Sequence, residues 1–368
     1  MSKTDWTKSQ LFFSGDHFFD ELIQKIDSAK KRIWIEVYIF ENDQLGQKLI
    51  THLALAYERG VDVRVLVDGI GSYYSSPALL KAFSEIGIPF KIFHPVLFYN
   101  LFRWGKLQKL NKRTHRKIFV TDDEVFIGSF NITRVHCQSL VGKKAWRDSG
   151  VLVSGIALPE ILQSMDVVWS SAKGFFLNRM KIKKAKRSGH HLVRMNMNFR
   201  ERFRMSRELK QKIRSAQHQV FLTNAYFLPR RSLLRAIIHA AKKGVQVGLC
   251  LPRKTDVKIL QMASRGLFRE LMKSGVRIYE YLPAILHAKT IIVDNWAAVG
   301  SHNWNHRSLN HDLEIEIVLK SEQRILDLQK QWKADIENSE EITVELLNTV
   351  TFFEKILGKI IFWFRYWL

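Results

Sequence analysis

Residues 114–131 read THRKIFVTDDEVFIGSFN, and residues 286–303 read LHAKTIIVDNWAAVGSHN. The two stretches share a His, a Lys two residues later, an Asp five residues after the Lys, and a Gly-Ser-x-Asn sequence, all at identical spacing. The shared positions are His115, Lys117, Asp122, Gly128, Ser129 and Asn131 in the first stretch, and His287, Lys289, Asp294, Gly300, Ser301 and Asn303 in the second. Such a pattern, repeated at full length, indicates a duplicated unit that carries chemistry.

The segments before the two motifs also match each other. Residues 33–68 and 220–251 each contain an apolar strand with a Tyr and a Phe at its end, an amphipathic helix, a glycine (Gly60 or Gly244) and a second apolar strand. Both glycines stand where the C-terminus of a helix requires a residue that tolerates positive φ. Strands that alternate with helices predict an α/β fold, built here from two halves with a largely parallel central sheet.

The residue types of the motif suit cleavage of a phosphodiester. If the halves pack about a pseudo-two-fold axis, His115 and His287 meet one phosphate, one as neutral nucleophile and the other as proton donor. Attack by an imidazole would give a phosphohistidine, which divides one difficult displacement into two easier ones. The predicted phosphate-binding groups are Lys117, Lys289, Asn131 and Asn303, together with Ser129 and Ser301, for which a plain turn is the alternative.

Two pairs of acids accompany the histidines. Asp122 and Asp294 belong to the motif and are grouped with its catalytic residues, yet their parity along a strand is opposite to that of the histidines. We therefore interpret them as residues that tie down a turn or a neighbouring backbone. Asp148 and Glu314 stand in apolar strands, where an unpaired carboxylate is costly. We expect them to orient the imidazoles, with surface ion pairs as the alternative.

Charge and composition point to a polyanionic partner. The 368 residues include 58 Lys and Arg against 35 Asp and Glu, which gives a net charge of +23. Nucleic acid, an anionic membrane or a phosphorylated substrate would suit this charge. Two cysteines, Cys137 and Cys250, exclude a disulfide framework. We expect neither a secretion signal nor a transmembrane helix, and no metal or other cofactor, because Lys and Arg flank the histidines.

The paired motifs resemble the phospholipase D superfamily. Further stretches are similar to its bacterial cardiolipin synthase branch, namely EVYIFENDQLGQKL, VDGIGS at 67–72, NKRTHRK at 111–117, AWRDSGV at 145–151, NAYFLP at 224–229 and GSHNWNHRS before Glu314. The resemblance spans about residues 10–335. The interval between each motif Asp and its Gly is one residue shorter than is usual in the family, which predicts a tightened hairpin. The N-terminal pair of membrane spans found in one group of these synthases is missing, so the chain resembles the shorter kind.

The resemblance implies two fused, pseudo-two-fold related α/β sandwich halves with one active site at their interface. It also implies a phosphohistidine mechanism without metal, in which His115 is the nucleophile, His287 is the general acid and base, and the lysines and asparagines bind the phosphoryl group. The implied reaction joins two phosphatidylglycerol molecules into cardiolipin and releases glycerol. A phospholipase D-type hydrolase of lipid or nucleic acid is the alternative, and a non-catalytic membrane scaffold is disfavoured because both motifs are intact.

We divide the chain into an N-terminal half (1–177), a basic linker (178–205), a C-terminal half (206–338) and an amphipathic aromatic tail (339–368). The linker contains NRMKIKKAKRSGHH, which is either solvated or faces a membrane or nucleic acid. We expect the tail, and the aromatic and basic segment 94–113, to contact an anionic phospholipid membrane containing phosphatidylglycerol and cardiolipin. Packing on the protein's own core is the alternative for each. These features predict a peripheral protein on the cytoplasmic face of the inner membrane, without a nucleic-acid partner, and leave its oligomeric state open.

Overall fold

The computed structural model describes residues 5–95, 112–172 and 191–349. In the first half the strands are β1 (Lys8–Phe12), β2 (Arg32–Val37), β3 (Asp62–Asp68), β4 (Phe90–Phe93), β5 (Ile118–Thr121), β6 (Glu124–Gly128) and β7 (Gly150–Ser154). The helices are α1 (Gly15–Ser28), α2 (Gln44–Glu58), α3 (Ser76–Ile86), α4 (Gln138–Val141) and α5 (Leu158–Ser171), with 3₁₀ turns at Arg134–His136 and Gly142–Lys144.

The second half repeats this plan and adds a strand at its edge. Its strands are β8 (Val193–Met195), β9 (Gln219–Asn224), β10 (Gln246–Lys254), β11 (Arg277–Ile285), β12 (Lys289–Val293), β13 (Trp296–Gly300), β14 (Ile315–Leu319) and β15 (Ser339–Glu341). Its helices are α6 (Phe199–Ser215), α7 (Arg231–Lys242), α8 (Lys258–Lys273), α9 (His306–Asn310), α10 (Glu322–Glu337) and α11 (Val344–Thr349).

The two sheets have the same topology. The first has the order β1-β7-β6-β5-β2-β3-β4 and the second β15-β11-β10-β9-β12-β13-β14-β8. The duplication predicted from the sequence is therefore confirmed. The prediction of a largely parallel sheet is wrong. Strands β2, β3 and β4 run parallel to one another, as do β9, β10 and β11. The strands that carry the motifs pair antiparallel with their neighbours. Each half turns from crossover connections to tight hairpins at its motif.

The sheets pack face to face. Helices α1 to α3 and α6 to α8 lie on their outer sides, whereas α5 and α10 contribute side chains to the layer between the sheets. Along β5 and β6, Ile118, Val120 and Val125 join the apolar layer between the sheets, whereas Phe119 and Phe126 face the helices of the first half. Because successive side chains of a strand point to opposite faces, an entirely apolar strand is buried on both sides. The central layer joins the halves into one body and fixes the motif strands against each other.

The local backbone explains the shared glycines and the short hairpins. Gly60 and Gly244 end their helices with φ of 84° and 87°. Thr121 pairs with Glu124 and Val293 pairs with Trp296, so each motif hairpin closes through a two-residue turn. The first turn residue in each hairpin has a positive φ, 52° at Asp122 and 48° at Asp294. The tightened hairpin predicted from the spacing is confirmed.

The structure also corrects the boundaries of the linker and the tail. Strand β8 pairs with β14, and α6 begins at Phe199, so residues 191–205 belong to the second half. Strand β15 pairs with β11, so residues 339–341 belong to the second sheet. The segment 96–111, residues 173–190, which include the rest of the predicted linker, and the aromatic tail at 350–368 lie outside the described residues. No helix in the described ranges is long and apolar enough to cross a membrane.

Candidate active site

The two motifs meet because each half pairs its backbone with the other. The amide N–H of His115 donates to the carbonyl of Leu313 at 3.0 Å, and the N–H of Leu313 donates to Arg113 at 2.8 Å. The N–H of His287 donates in the same way to Arg147 at 2.8 Å. Each histidine therefore lies beside the segment that carries the acid of the opposite half.

This pairing crosses the histidines and their acids. The Nδ1 atom of His115 lies 3.2 Å from a carboxylate oxygen of Glu314, and Nδ1 of His287 lies 2.7 Å from Oδ2 of Asp148. Glu314 and Asp148 are fully buried. Both acids thus contact an imidazole, as expected, but each acid contacts the histidine of the other half.

The tautomer of His115 follows from its neighbours. Its Nδ1 also lies 3.2 Å from the carbonyl oxygen of Ser301, which can only accept. Burial of Glu314 acts to raise its pKa, but His115 and other nearby charges lower that pKa to about 2, so Glu314 is ionised and also accepts. Nδ1 of His115 therefore carries the proton, which leaves the lone pair of Nε2 available.

The two lysines belong to the same site as both histidines. Lys117 is fully buried and Lys289 is 3% exposed. Burial lowers the pKa of His115 to about 4 and also lowers that of His287, and both Lys117 and Lys289 lower the pKa of each histidine further. The contact between Nδ1 of His115 in the first motif and the carbonyl oxygen of Ser301 in the second, at 3.2 Å, places both motifs at one centre.

The pKa values of the two lysines are also lowered. The pKa of Lys117 falls to about 7, first because the group is buried and then because Lys289 lies close. Burial lowers the pKa of Lys289 to about 8 against the pull of Asp148 and Glu314. Two buried ammonium groups favour a bound anion, because its negative charge offsets the cost of burying their positive charges.

The structure places the motif serines, which were predicted to bind phosphate, beside the two buried acids. The hydroxyl of Ser129 donates to Asp148, and the hydroxyl of Ser301 donates to Glu314. Both serines are fully buried. Each one holds the carboxylate that orients a histidine, so it acts one step behind the reacting groups.

Asp122 and Asp294 lie at the hairpin turns, so their grouping with the catalytic residues is corrected. The Asp122 carboxylate accepts the backbone N–H groups of Lys30, Lys31 and Arg32 at 2.7–3.0 Å. The Asp294 carboxylate accepts those of residues 217–219 at 2.8–2.9 Å. The interpretation that these aspartates tie down a neighbouring backbone is confirmed.

The two asparagines of the motifs lie buried after their strands. The side-chain carbonyl of Asn131 accepts the N–H of Ile39 at 3.3 Å, whereas that of Asn303 has no hydrogen-bond donor in the described part of the chain. No described residue accepts a hydrogen bond from either side-chain nitrogen. Neither side-chain nitrogen is therefore engaged by the described residues, and the predicted role of both amides in binding phosphate stays a prediction.

Four aromatic residues beside the histidines were not predicted as site residues. The ring of Tyr38 lies 4.9 Å from that of His115, and the rings of Trp146, His136 and Tyr226 lie 5.5, 5.9 and 6.3 Å from that of His287. Tyr38 directly follows β2 and Tyr226 lies two residues beyond β9, and the repeated Tyr-and-Phe ending of those strands was the available signal. Nothing comparable in the sequence marks His136 or Trp146.

His136 shares the acid of His287. Its Nδ1 lies 3.4 Å from Oδ2 of Asp148, and its Nε2 accepts the backbone N–H of Asn131 at 3.2 Å. Burial lowers the pKa of His136 to about 3, so this imidazole is neutral at physiological pH. It packs the Asp148 carboxylate against His287 and fixes the backbone at Asn131.

Comparisons with known proteins agree with this geometry. The family model described as "Cardiolipin synthase, PLD-like domain" matches residues 22–140 and 209–338, one segment in each half. The cardiolipin synthase B of Salmonella typhimurium is 33% identical over 323 residues, covering 84% of this chain and 76% of that protein. The cardiolipin synthase of Clostridium perfringens is 30% identical over 349 residues, covering 91% of this chain and 71% of that protein.

The chain belongs to the cardiolipin synthase family of phospholipase D-like proteins. Membership in this family makes it an enzyme, a phospholipid phosphatidyltransferase. Among solved structures, the phosphatidylserine synthase of Haemophilus influenzae superimposes with a TM-score of 0.72 at 16% identity, covering 97% of this chain and 92% of that chain. This likeness supports the fold of two joined halves over almost the full length.

Proposed function

We propose that this family member is a cardiolipin synthase that transfers a phosphatidyl group from one phosphatidylglycerol to a hydroxyl of another through a phosphohistidine. The observation that carries the proposal is the crossed pair of contacts from Glu314 to His115 and from Asp148 to His287. Each contact holds an imidazole by Nδ1, so that Nε2 of both rings is available to the centre that Lys117 and Lys289 share.

In the first step, Nε2 of His115 attacks the phosphorus of the donor lipid. The N–P bond forms while the bond between phosphorus and the glycerol oxygen breaks. The proton on Nε2 of His287 passes to that oxygen, so glycerol leaves as a neutral alcohol. Lys117, Lys289 and the amides of Asn131 and Asn303 stabilise the charge that develops on the phosphoryl oxygens.

The two histidines differ in a way that supports these roles. The Nδ1–carboxylate distance is 2.7 Å at His287 and 3.2 Å at His115. Burial and the two lysines lower the pKa of His287 as well, but its closer carboxylate opposes that shift, so His287 is the ring better able to hold the proton that a general acid needs. His115, whose pKa lies at about 4, is neutral at physiological pH and retains the lone pair that a nucleophile needs.

In the second step, a hydroxyl of another phosphatidylglycerol replaces glycerol. His287, now neutral, removes the hydroxyl proton while the oxygen attacks phosphorus. The new P–O bond forms, the N–P bond breaks, and both histidines return to their starting protonation states. Water in place of the lipid alcohol would give phosphatidic acid, so the acceptor alone separates a synthase from a hydrolase.

The proposed place of action is the cytoplasmic face of the inner membrane, where the protein binds peripherally. The net charge of +23 supports attraction to anionic headgroups. Each Lys or Arg near such a surface contributes about 1 kcal/mol. Phosphatidylglycerol is then both the substrate and a component of the surface on which the enzyme works.

The test is to add the purified full chain to phosphatidylglycerol vesicles and to measure lipid products and glycerol. We expect one glycerol released for each cardiolipin formed. Formation of phosphatidic acid without cardiolipin would contradict the proposal and identify the enzyme as a hydrolase. The matched variants His115→Ala and His287→Ala then assign the roles.

The roles of the two histidines are assigned with a phosphodiester whose leaving group is nitrophenolate. This leaving group departs as an anion and needs no proton from a general acid. His287→Ala should still release a burst of nitrophenolate and accumulate a phosphorylated protein, whereas His115→Ala should do neither. General acid catalysis contributes about 10²–10⁴-fold, so glycerol release by His287→Ala should fall by that range. A burst from His115→Ala and none from His287→Ala would reverse the roles.

A further inference from the structure

Large apolar side chains lie exposed at two places on the surface beside His115. Phe199 and Phe203, one turn apart on α6, are 80% and 57% exposed. Tyr73 and Tyr74, in the loop after β3, are 41% and 95% exposed, and their rings meet edge to face. We call these four residues the aromatic rim. Single exposed apolar residues are ordinary, but paired aromatics at such exposure mark an interaction surface.

The loop half of the rim is anchored to the site. The Asp68 carboxylate accepts the N–H of Ile70 at 2.8 Å and the N–H of Thr114, the residue before His115, at 3.0 Å. The hydroxyl of Ser72 donates to the carbonyl of Tyr38 at 3.1 Å. Tyr73 and Tyr74 therefore follow directly from residues that hold the backbone of His115 and Tyr38.

The helical half is anchored on the acid side of the same histidine. The guanidinium of Arg202 donates to the carbonyls of His311 and Asp312 at 2.9 and 3.2 Å. The carbonyl oxygen of the Asn196 side chain accepts the N–H of Glu314 at 2.6 Å. The first turns of α6 thus lie against the segment that leads into the Glu314 carboxylate.

The two anchors converge on the His115 end of the centre. Asp68 accepts the N–H of Thr114, and Thr114 pairs with Leu313, the residue between Asp312 and Glu314. The ring of Tyr38 lies 4.9 Å from that of His115. The loop and the helix are therefore neighbours around one end of the cleft, with their aromatic side chains directed to solvent.

Charge identifies the partner that this surface fits. Helix α6 carries seven basic and two acidic side chains, and Arg200 and Arg207 are exposed beside the phenylalanines. A protein interface would bury these arginines, whereas the headgroup region of an anionic bilayer pairs them with phosphates and admits the aromatic rings. A lipid surface satisfies both features at once.

We propose that the aromatic rim docks on the surface of an anionic phospholipid bilayer and directs the His115 end of the cleft toward the headgroups. The inference rests on the proposed function for the choice of lipid. Its readout is vesicle docking without turnover, so failure of docking and failure of cardiolipin synthesis are separate results.

A fluorophore on the full chain tests this surface without interference from other membrane contacts. Cys137 and Cys250 are buried, 3% and 0% exposed, so a cysteine introduced on the surface is labelled selectively. Phe203→Cys carries an environment-sensitive dye in the rim. Leu55→Cys is the matched control, since Leu55 is 47% exposed near the C-terminal end of α2, which begins after β2 and runs back to the opposite edge of the sheet.

We expect phosphatidylglycerol vesicles to shift the dye at position 203 to shorter wavelength and to leave the dye at position 55 unchanged. Phosphatidylcholine vesicles should give a much weaker shift. Vesicle-bound protein without a shift at 203 would place docking elsewhere and overturn the proposal. A shift that grows with protein concentration in the absence of lipid would also overturn it, because it would identify a second copy of the chain as the partner.

An unlabelled variant gives an independent measurement. Phe199→Ser with Phe203→Ser should weaken partition into phosphatidylglycerol vesicles by about tenfold or more, as expected from the loss of two inserted aromatic rings. Leu55→Ser should retain wild-type partition. Circular dichroism and melting temperature check that both variants are folded, and equal partition of the two folded variants would contradict the proposal.

Discussion

The His115 imidazole is held by Glu314, a residue of the opposite half, with Nδ1 3.2 Å from the carboxylate. The reciprocal contact joins His287 to Asp148 of the first half at 2.7 Å. Each half therefore supplies one imidazole and the carboxylate that contacts the other imidazole. The interface between the halves determines how both rings are held.

The crossed pairing predicts that the two acids affect different steps. Glu314→Gln removes the charge that orients the nucleophile, and it should slow formation of the phosphohistidine by about 10²–10⁴-fold. Asp148→Asn should instead spare the nitrophenolate burst and slow glycerol release. Rapid-quench measurement of the phosphorylated protein distinguishes the two variants. Glu341→Gln, which disturbs only a surface pair with Arg277, is the control.

The serines predict a change in turnover and not in substrate binding. Ser129→Ala and Ser301→Ala each remove a hydroxyl that donates to an orienting carboxylate. Hydrogen bonds to charged groups contribute about 1.5–3 kcal/mol, so kcat should fall by about tenfold or more. Steady-state kinetics with phosphatidylglycerol measure this. A raised KM with unchanged kcat would instead indicate that the serine hydroxyls contact the substrate phosphate directly.

The hairpin aspartates predict a loss of stability. Asp122→Ala leaves three backbone N–H groups without their acceptor and places alanine at a φ of 52°. We expect the free energy of unfolding to fall by about 1–3 kcal/mol. Asp122→Asn should lose less, because asparagine tolerates this φ and can still accept. Chemical denaturation measures both, and equal stability of all three proteins would reject the structural role.

The buried lysines predict that lipid binding weakens as pH rises. The pKa values of Lys117 and Lys289 are lowered to about 7 and about 8, so the free enzyme loses these positive charges above that range. Binding a phosphodiester then requires proton uptake, and KM should rise with pH. Lys289→Met removes a neighbour that lowers the pKa of Lys117, and it should move the inflection of KM to higher pH. A flat profile between about pH 6 and pH 9 would contradict this linkage.

The sequence predicted the parts of the site that depend on local spacing. The duplicated halves, the histidines, the two-residue hairpins and the role of Asp122 and Asp294 at a turn all follow from residues close together in the chain. The mixed sheets were missed because the alternation of strands and helices describes β2 to β4 but not the hairpins that follow. The direction in which the hairpin strands pair depends on which strand of the sheet they join, and the alternation of strands and helices does not contain that information.

The contacts across the interface were beyond the reach of spacing. Asp148 follows His115 in the chain and Glu314 follows His287, yet each carboxylate is oriented by backbone pairing with the opposite half. Ser129 and Ser301 could not be separated from phosphate ligands because a hydroxyl suits either role. His136 and Trp146 contact His287 from a segment that has no equivalent signal in the second copy.

The exchange of carboxylates makes the two copies of the motif inseparable. A protein shortened to either half would retain an imidazole, a lysine and an asparagine, but its histidine would have no acid to fix its tautomer. Two such fragments could recover a working centre only by associating as the halves do in the intact chain. Damage to one copy therefore disables the chemistry of both, although each motif is complete in its own sequence.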